Sequence, residues 1–459
     1  MERKFVNVIL LGFGFMFVFT AFQTMGNIEK TVLESISKDD ASFTGDGYTS
    51  LAIIYASLAL CNWLAPSMIS LTGPRGAMVI GAFTYLFFII TFLFPRTWLL
   101  YVASVVIGAG AALIWTGQGN YLTLNSDSDT ISRNSGVFWA MLQCSMFFGN
   151  LFVFIKFQGK AHIDLETRNV VFGVLAAVCA LGVVFLLLLR PARRAPTLDD
   201  AKVPMEVTTA EGPMEAFKGA VRLFCTKDML LLSVTFIYTG VELSFFSGVY
   251  SPSIGFTLQM GENAKQLVGL SGVFIGMGEV LGGALFGILG AKTTRWGRDP
   301  IVIAGYVIHL LSFFLIFINL PNDAPFGDTA TAAYIAPSPQ LAMLCSFLLG
   351  FADACFNTQI YSMLGGKYAD KSSSAFALVA TRTIFLFIYL LATAVCFFYS
   401  SRATLTVQLA ILAVLASLGT ASFCRVEWAG RRERAAQAAA DAANATHALA
   451  DDAADLHYD

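Results

Sequence analysis

The stretch FVNVILLGFGFMFVFTAFQTMGN, Phe5–Asn27, contains no Asp, Glu, Lys or Arg. A hydrocarbon core about 30 Å thick is crossed by roughly 20 helical residues. In lipid, a helix satisfies each backbone polar group within its own segment. Phe5–Asn27 therefore reads as a membrane span. Arg3 and Lys4 precede it, as they would a signal peptide, but the run is too long and no small-residue cleavage site follows. An uncleaved first span is expected. Eleven further apolar stretches follow. The twelve fall near 5–27, 48–70, 77–94, 98–122, 136–155, 169–189, 227–250, 266–290, 300–320, 340–363, 372–399 and 403–424.

Composition agrees. Of 459 residues, 56% are hydrophobic and 13% charged, and the mean hydropathy is +0.67. A soluble domain carries about 25% charged residues, so the usual length-based expectation of several soluble domains gives way to a polytopic membrane protein. A net charge of −2 predicts no nucleic-acid partner. The eight cysteines include no C-x-x-C pair and lie in or beside apolar stretches, which predicts free thiols and no metal site. There is no Walker loop, H-E-x-x-H or G-x-S-x-G, so neither an enzyme nor a cofactor is expected.

A polar stretch at 190–226, with Pro191, Pro196, Pro204 and Pro213, divides the spans six and six. The expected organisation is a six-helix bundle over 1–189, a cytoplasmic linker over 190–226, a second six-helix bundle over 227–424 and a disordered cytoplasmic tail over 425–459. Placing both termini in the cytoplasm puts 20 of the 29 Lys/Arg on that side and 8 on the other, with Arg382 inside a span. That bias favours the orientation. The segment 28–47 then faces out. The Arg cluster after the last span is a topology signal or a contact for anionic headgroups.

Six spans, a long loop and six more is the layout of the major facilitator superfamily, an all-α fold of two bundles around a midplane site. The halves share faint similarity. IGAGAALIWTGQGNYL (Ile107–Leu122) sits against LGFADACFNTQIYSML (Leu349–Leu364), and SGVFWAMLQ (Ser135–Gln143) against SAFALVATR (Ser374–Arg382), which matches Gln143 to Arg382. The superfamily loop signature G-x-x-x-[DN]-[RK]-x-G-[RK]-[RK] is degraded. Gly73-Pro74-Arg75-Gly76 remains of one copy, and Gly297-Arg298 ends the other. The acid that helps latch the bundles is missing from both, which leaves Arg75 and Arg298 as latch remnants or topology signals.

At four motifs the chain resembles a particular family. They are NVILLGFGFMFVFTAFQTMGN (Asn7–Asn27), GPRGAMVIGAFTY (Gly73–Tyr85), GAGAALIWTGQGNYLT (Gly108–Thr123) and GFADACFNTQIYSMLG (Gly350–Gly365). They are similar to the UNC-93-like family of the major facilitator superfamily. The resemblance implies the twelve-span fold. The family is transporter-like, and its better-known members act as regulatory subunits of a potassium channel or as trafficking chaperones for Toll-like receptors. It supplies no substrate and no catalytic residue to carry over.

The charges inside spans are the candidate site. A charge at the bilayer centre costs at least ~2.5–3.5 kcal/mol. Glu242, Glu279, Asp353 and Arg382 all lie in the second half, whereas matching depths of the first hold Gln23, Asn62, Gln118, Asn120, Gln143 and Asn150. Three acids against one base leave two carboxylates able to carry protons or bind a cation. Asp353 and Asn357 are one helical turn apart and share a face. Trp115 and Gln118 could stack on and hydrogen-bond a ligand. The structural alternatives are an Asp353–Arg382 ion pair, a wet Glu242 near its span end, close packing at the glycines of span four, and a satisfied core His309.

Two functions follow as expectations. One is a secondary transporter of a small organic solute, working by rocking bundles and coupled to protons through Asp353, Glu242 or Glu279. The other is a non-transporting partner of a channel or another membrane protein. Either resides in the bilayer of the plasma membrane or an endolysosomal membrane.

Overall fold

The computed structural model describes residues 3–126, 130–190, 224–293, 297–367 and 374–455. Most of the expected linker thus lies outside the described residues. Twelve helices dominate the described residues. They are α1 (Arg3–Asp39), α2 (Gly47–Cys61), α3 (Ala65–Thr91), α4 (Thr97–Leu124), α5 (Ile131–Lys156), α6 (Leu165–Leu187), α7 (Lys227–Phe256), α8 (Ala264–Thr293), α9 (Asp299–Asn319), α10 (Pro339–Lys367), α11 (Ser374–Ser400) and α12 (Leu405–Asp455). Ten contain a segment long and apolar enough to cross a membrane, and α2 and α11 supply two shorter apolar segments.

Three boundaries differ from the sequence reading. The first span was expected to end at 27, yet α1 continues to Asp39. Ile28, Val32, Leu33 and Ile36 recur at helical spacing, and each is at most 2% exposed. This amphipathic stripe packs inward and carries the helix beyond the apolar run. The second correction is the tail, expected to be disordered from 425 but helical as far as Asp455. It is rich in Ala, the best helix former, and has no Gly or Pro after Gly430 to stop it.

The third is the second span, which is broken. The helix of α2 ends at Cys61, resumes at Ala65, and turns back at Gly73 with φ 70° and ψ 163°. Side chains are all but excluded from that conformation. Pro74 then opens the third span, where its missing N–H costs nothing. Gly73 is therefore the corner between two crossings.

Helix α7 is interrupted too. Phe245–Tyr250 forms a π-helical turn before Ser251–Phe256 resumes. Pro252 has no N–H to return to the preceding turn, which favours this wider winding.

The first six helices pack among themselves, as do the last six, and the halves meet where α2 lies on α11 and α5 on α8, with α1 against α7 and α8. The end opposite the termini is closed by polar contacts across this seam. Asn27 Nδ2 donates across it to the Val268 carbonyl (3.0 Å) and is oriented within the first half by a bond to Asn150 Oδ1 (2.7 Å). Tyr48 Oη donates to the Pro325 carbonyl (3.0 Å), and the Gly159 N–H donates to Asn263 Oδ1 (3.1 Å). Asp328 accepts from Lys38 of α1 (2.6 Å) and from Lys265 of α8, which ties the two halves. Gly269 allows α8 this close, since a Cβ there would meet the Phe154 backbone nitrogen at 2.6 Å.

Two predictions follow. Gly73→Ala lowers stability by about 1–3 kcal/mol through backbone strain, read as a fall in the detergent thermal midpoint; an unchanged midpoint contradicts the corner. Burial alone would lift the Asp328 carboxyl, but the hydrogen bonds from Lys265 and Lys38 outweigh it and hold Asp328 below the ordinary carboxylate range. A depressed acid stabilises the closed end above its ordinary value, ~3.9, and loses this as pH falls through its own lower value. Labelling of a Val268→Cys probe by a water-soluble thiol reagent is therefore low and equal at pH 7.5 and 5.5, and rises several-fold in Asp328→Asn. Equal labelling with and without Asp328→Asn shows that the latch is dispensable.

Candidate functional site

A cavity of about 100 Å³ lies between the halves beneath the closed end. Phe22, Gln23, Gly26 and Asn27 of α1 line one wall, with Leu51 and Tyr55 of α2 and Met146 of α5. The second half contributes Leu243, Phe246 and Ser247 from the interrupted α7, and Ile275 and Glu279 from α8. The wide turn thus forms part of the wall. The lining is mainly apolar with a few converging polar groups, the usual composition of a small-molecule site.

Glu279 is the charged group of that lining. Gln143 Nε2 of α5 donates to Glu279 Oε2 at 3.1 Å, so this bond bridges the halves. Sequence symmetry matched Gln143 to Arg382; its partner here is Glu279. Gln23 also faces the cavity, and its amide oxygen accepts from the Ser145 hydroxyl.

Behind this wall lies a second polar layer. Asp353 is buried in α10 and accepts from Asn357 Nδ2 with both carboxylate oxygens, at 2.8 and 2.9 Å, so the shared face is real. Glu242 was open to being wet near a span end; it is 1% exposed. Its Oε1 lies 3.2 Å from His309 Nε2, and His309 Nδ1 lies 2.5 Å from the Tyr238 hydroxyl. Glu242, Asp353 and Glu279 stand close enough to interact electrostatically. Arg382 belongs to α11, but its side chain lies outside the described residues, as does any Asp353–Arg382 pair.

The other candidates have structural settings. Trp115 packs against Phe15, Phe19 and Trp139 at 5.5, 4.9 and 6.0 Å between ring centroids. Gln118 is buried, and neither residue is among those lining the cavity. Arg75 donates to the Leu187 carbonyl (2.6 Å) at the end of α6. Gly297 has φ 96°, and Arg298 pairs with Glu427 (3.1 Å) and Ser362 (2.9 Å). Each described loop-motif arginine thus binds within its own half.

Sequence reasoning under-weighted Tyr238 and His309 and missed Glu29. The signal for Tyr238 was its place one turn before Glu242. Glu29 was assigned to an outward loop, but it lies in α1 and is fully buried.

The family model "Ion channel regulatory protein UNC-93" matches residues 40–424. The chain is 45% identical to UNC93-like protein MFSD11 of Xenopus tropicalis, over 93% of this chain and 97% of that one. It is 25% identical to Protein unc-93 homolog A of Bos taurus, over 94% and 95%. Among solved structures, a peptide transporter POT in complex with sulfate superposes with a TM-score of 0.66 at 13% identity, covering 93% of this chain and 94% of that one. The nucleoside transporter NupG (D323A mutant) gives 0.62 at 15%, covering 92% and 100%. These two share the fold, that of the major facilitator superfamily, and the relatives and neighbours are membrane proteins rather than enzymes. With a family model spanning most of its length and a relative at 45% identity, the chain belongs to the UNC-93 family of multi-pass membrane proteins.

Proposed function

We propose that this protein is a secondary transporter that carries a small polar organic solute by alternating access. The observation that carries the reading is Glu279, a carboxylate in the wall of a cavity between two bundles, bridged to Gln143 of the opposite bundle. A cationic or hydrogen-bond-donating group on the solute would replace Gln143 at Glu279, with Gln23 and Asn27 as further polar contacts and Phe22, Tyr55 and Phe246 as apolar walls. Binding would then act on the seam between halves, as a transported ligand must if it is to shift their equilibrium.

Energetics support a functional reading of the acids. Each intramembrane charge costs at least ~2.5–3.5 kcal/mol, whereas a cross-helix hydrogen bond in a membrane protein returns about 0.6 kcal/mol. Three acids kept for stability alone would be a net loss. Kept as proton carriers, Glu279, Asp353 and Glu242 would couple solute movement to a proton gradient. The Lys/Arg bias supports cytoplasmic termini, so the closed end faces outward or into a lumen. The 190–226 stretch is then a cytoplasmic linker between bundles 1–189 and 227–424.

A second reading rests on the family description. If the chain regulates a channel or escorts another membrane protein, its seam would serve to hold a partner rather than to open.

The test is current recording from proteoliposomes on a solid-supported membrane, screened with metabolite pools. A transient current is expected from at least one pool and is reduced at least tenfold in Glu279→Gln. Silence from every pool, with folded protein that co-purifies with a membrane partner, overturns transport in favour of the second reading. Replacing the pair together, Glu242→Met with His309→Phe, is expected to keep or raise the thermal midpoint, since exchanging a buried polar pair for apolar residues of similar size is often neutral or stabilising; a fall of many degrees would make the pair structural.

A further inference from the structure

We infer that His309 and Glu242 form a site for one exchangeable proton, set behind the cavity and held ready by Tyr238. The inference deepens the transport reading and rests on it for its role in coupling, but not for its geometry.

His309 of α9 is fully buried. Nδ1 meets the Tyr238 hydroxyl at 2.5 Å, and Nε2 lies 3.2 Å from Glu242 Oε1, both from α7, an ion-pair distance that is not aligned as a hydrogen bond. A hydroxyl can donate or accept. When the ring is neutral, Tyr238 donates to Nδ1, which places the ring proton on Nε2, 3.2 Å from Glu242 Oε1. Uptake of one proton at Nδ1 forms an N–H bond as the O–H bond of the donor, a hydronium ion or a protonated neighbouring acid, breaks and leaves water or a carboxylate; Tyr238 turns to accept from the new N–H, and an imidazolium beside the Glu242 carboxylate results. Release reverses both changes. The heavy atoms need not move in either direction.

The walls suit a ring that becomes charged. Phe313 lies parallel to the imidazole, with 5.5 Å between centroids and 4° between planes. Phe356 lies at 5.7 Å and 21°. Aromatic faces at this range attract a cation.

Other groups face the pair. They are Asp353 of α10 with its Asn357, Glu279 of α8, and Tyr389 of α11, two turns beyond Arg382, whose side chain is outside the described residues. Helix α12 carries no charged residue from Leu405 to Cys424. Glu279 lies at the cavity and Asp353 interacts with both it and Glu242, so a run of interacting acids links the cavity wall to the pair.

The chain holds four histidines, so ¹⁵N-histidine NMR of the full protein in nanodiscs is tractable, with the His309 signal assigned by its loss in His309→Gln. That signal is expected to pass from a neutral to a doubly protonated ring between pH 8 and 4, with a midpoint displaced at least tenfold in proton concentration by Glu242→Gln and by Tyr238→Phe. If either variant fails to fold, the other still reads the site. A His309 signal that stays neutral throughout, or a midpoint unmoved in every folded variant, overturns the inference. The transport reading is judged separately: currents that persist beside a flat His309 titration sink this site alone, and a titrating His309 without solute currents sinks transport alone.

Discussion

A carboxylate is costly to place in a membrane-spanning bundle, and the second half of this chain places three. That cost organises the rest of the molecule. Glu279 accepts from Gln143 of the other half, so a bond to an acidic group stands on the seam that a transporter must open. Asp353 accepts with both oxygens from the amide nitrogen of its neighbour Asn357. Glu242 is left with a histidine whose other face is committed to a tyrosine. Among the described residues the three acids also interact with one another, and buried polar networks of this kind are sensitive to the gain or loss of a single proton.

The surrounding architecture gives that sensitivity mechanical meaning. Glycines of α8 bring the halves into backbone contact at one end, where Asn27, Tyr48 and the Lys38–Asp328–Lys265 group add polar ties. Below them the packing loosens into the cavity, and Pro252 widens α7 where that helix forms the wall. The closed end is held by partly buried ion pairs and hydrogen bonds in addition to apolar packing that is continuous across the seam.

The fold was legible in the sequence because lipid leaves few options. Uninterrupted apolar runs such as Phe5–Asn27 must be helices, and the 190–226 interruption indicated two halves. Legibility ended where apolarity stopped being the rule. Residues 28–39 look like a charged loop, but their stripe of Ile28, Val32, Leu33 and Ile36 makes them helix; the Ala-rich tail is likewise carried as helix by propensity. The site was half legible. Rarity of charge within spans picked out Glu242, Glu279, Asp353 and Arg382. Periodicity placed Asn357 beside Asp353. Nothing in one sequence says which residues of separate helices meet, so the Glu279–Gln143 bridge and the enclosure of His309 by α7 came only with tertiary structure. Trp115 and Gln118 show the converse: one sequence offers them as a ligand pair and does not reveal that Trp115 packs among Phe15, Phe19 and Trp139 or that Gln118 is buried.

The most direct test of the account is a pair of spin-label distances across the seam, one at the closed end and one at the end carrying the termini, compared between wild type and Asp328→Asn. Alternating access predicts that loosening the latch lengthens the first distance and shortens the second in the same fraction of molecules. A first distance that lengthens while the second stays fixed, or a single unchanging state in both proteins, would contradict it and leave a bundle that does not rock.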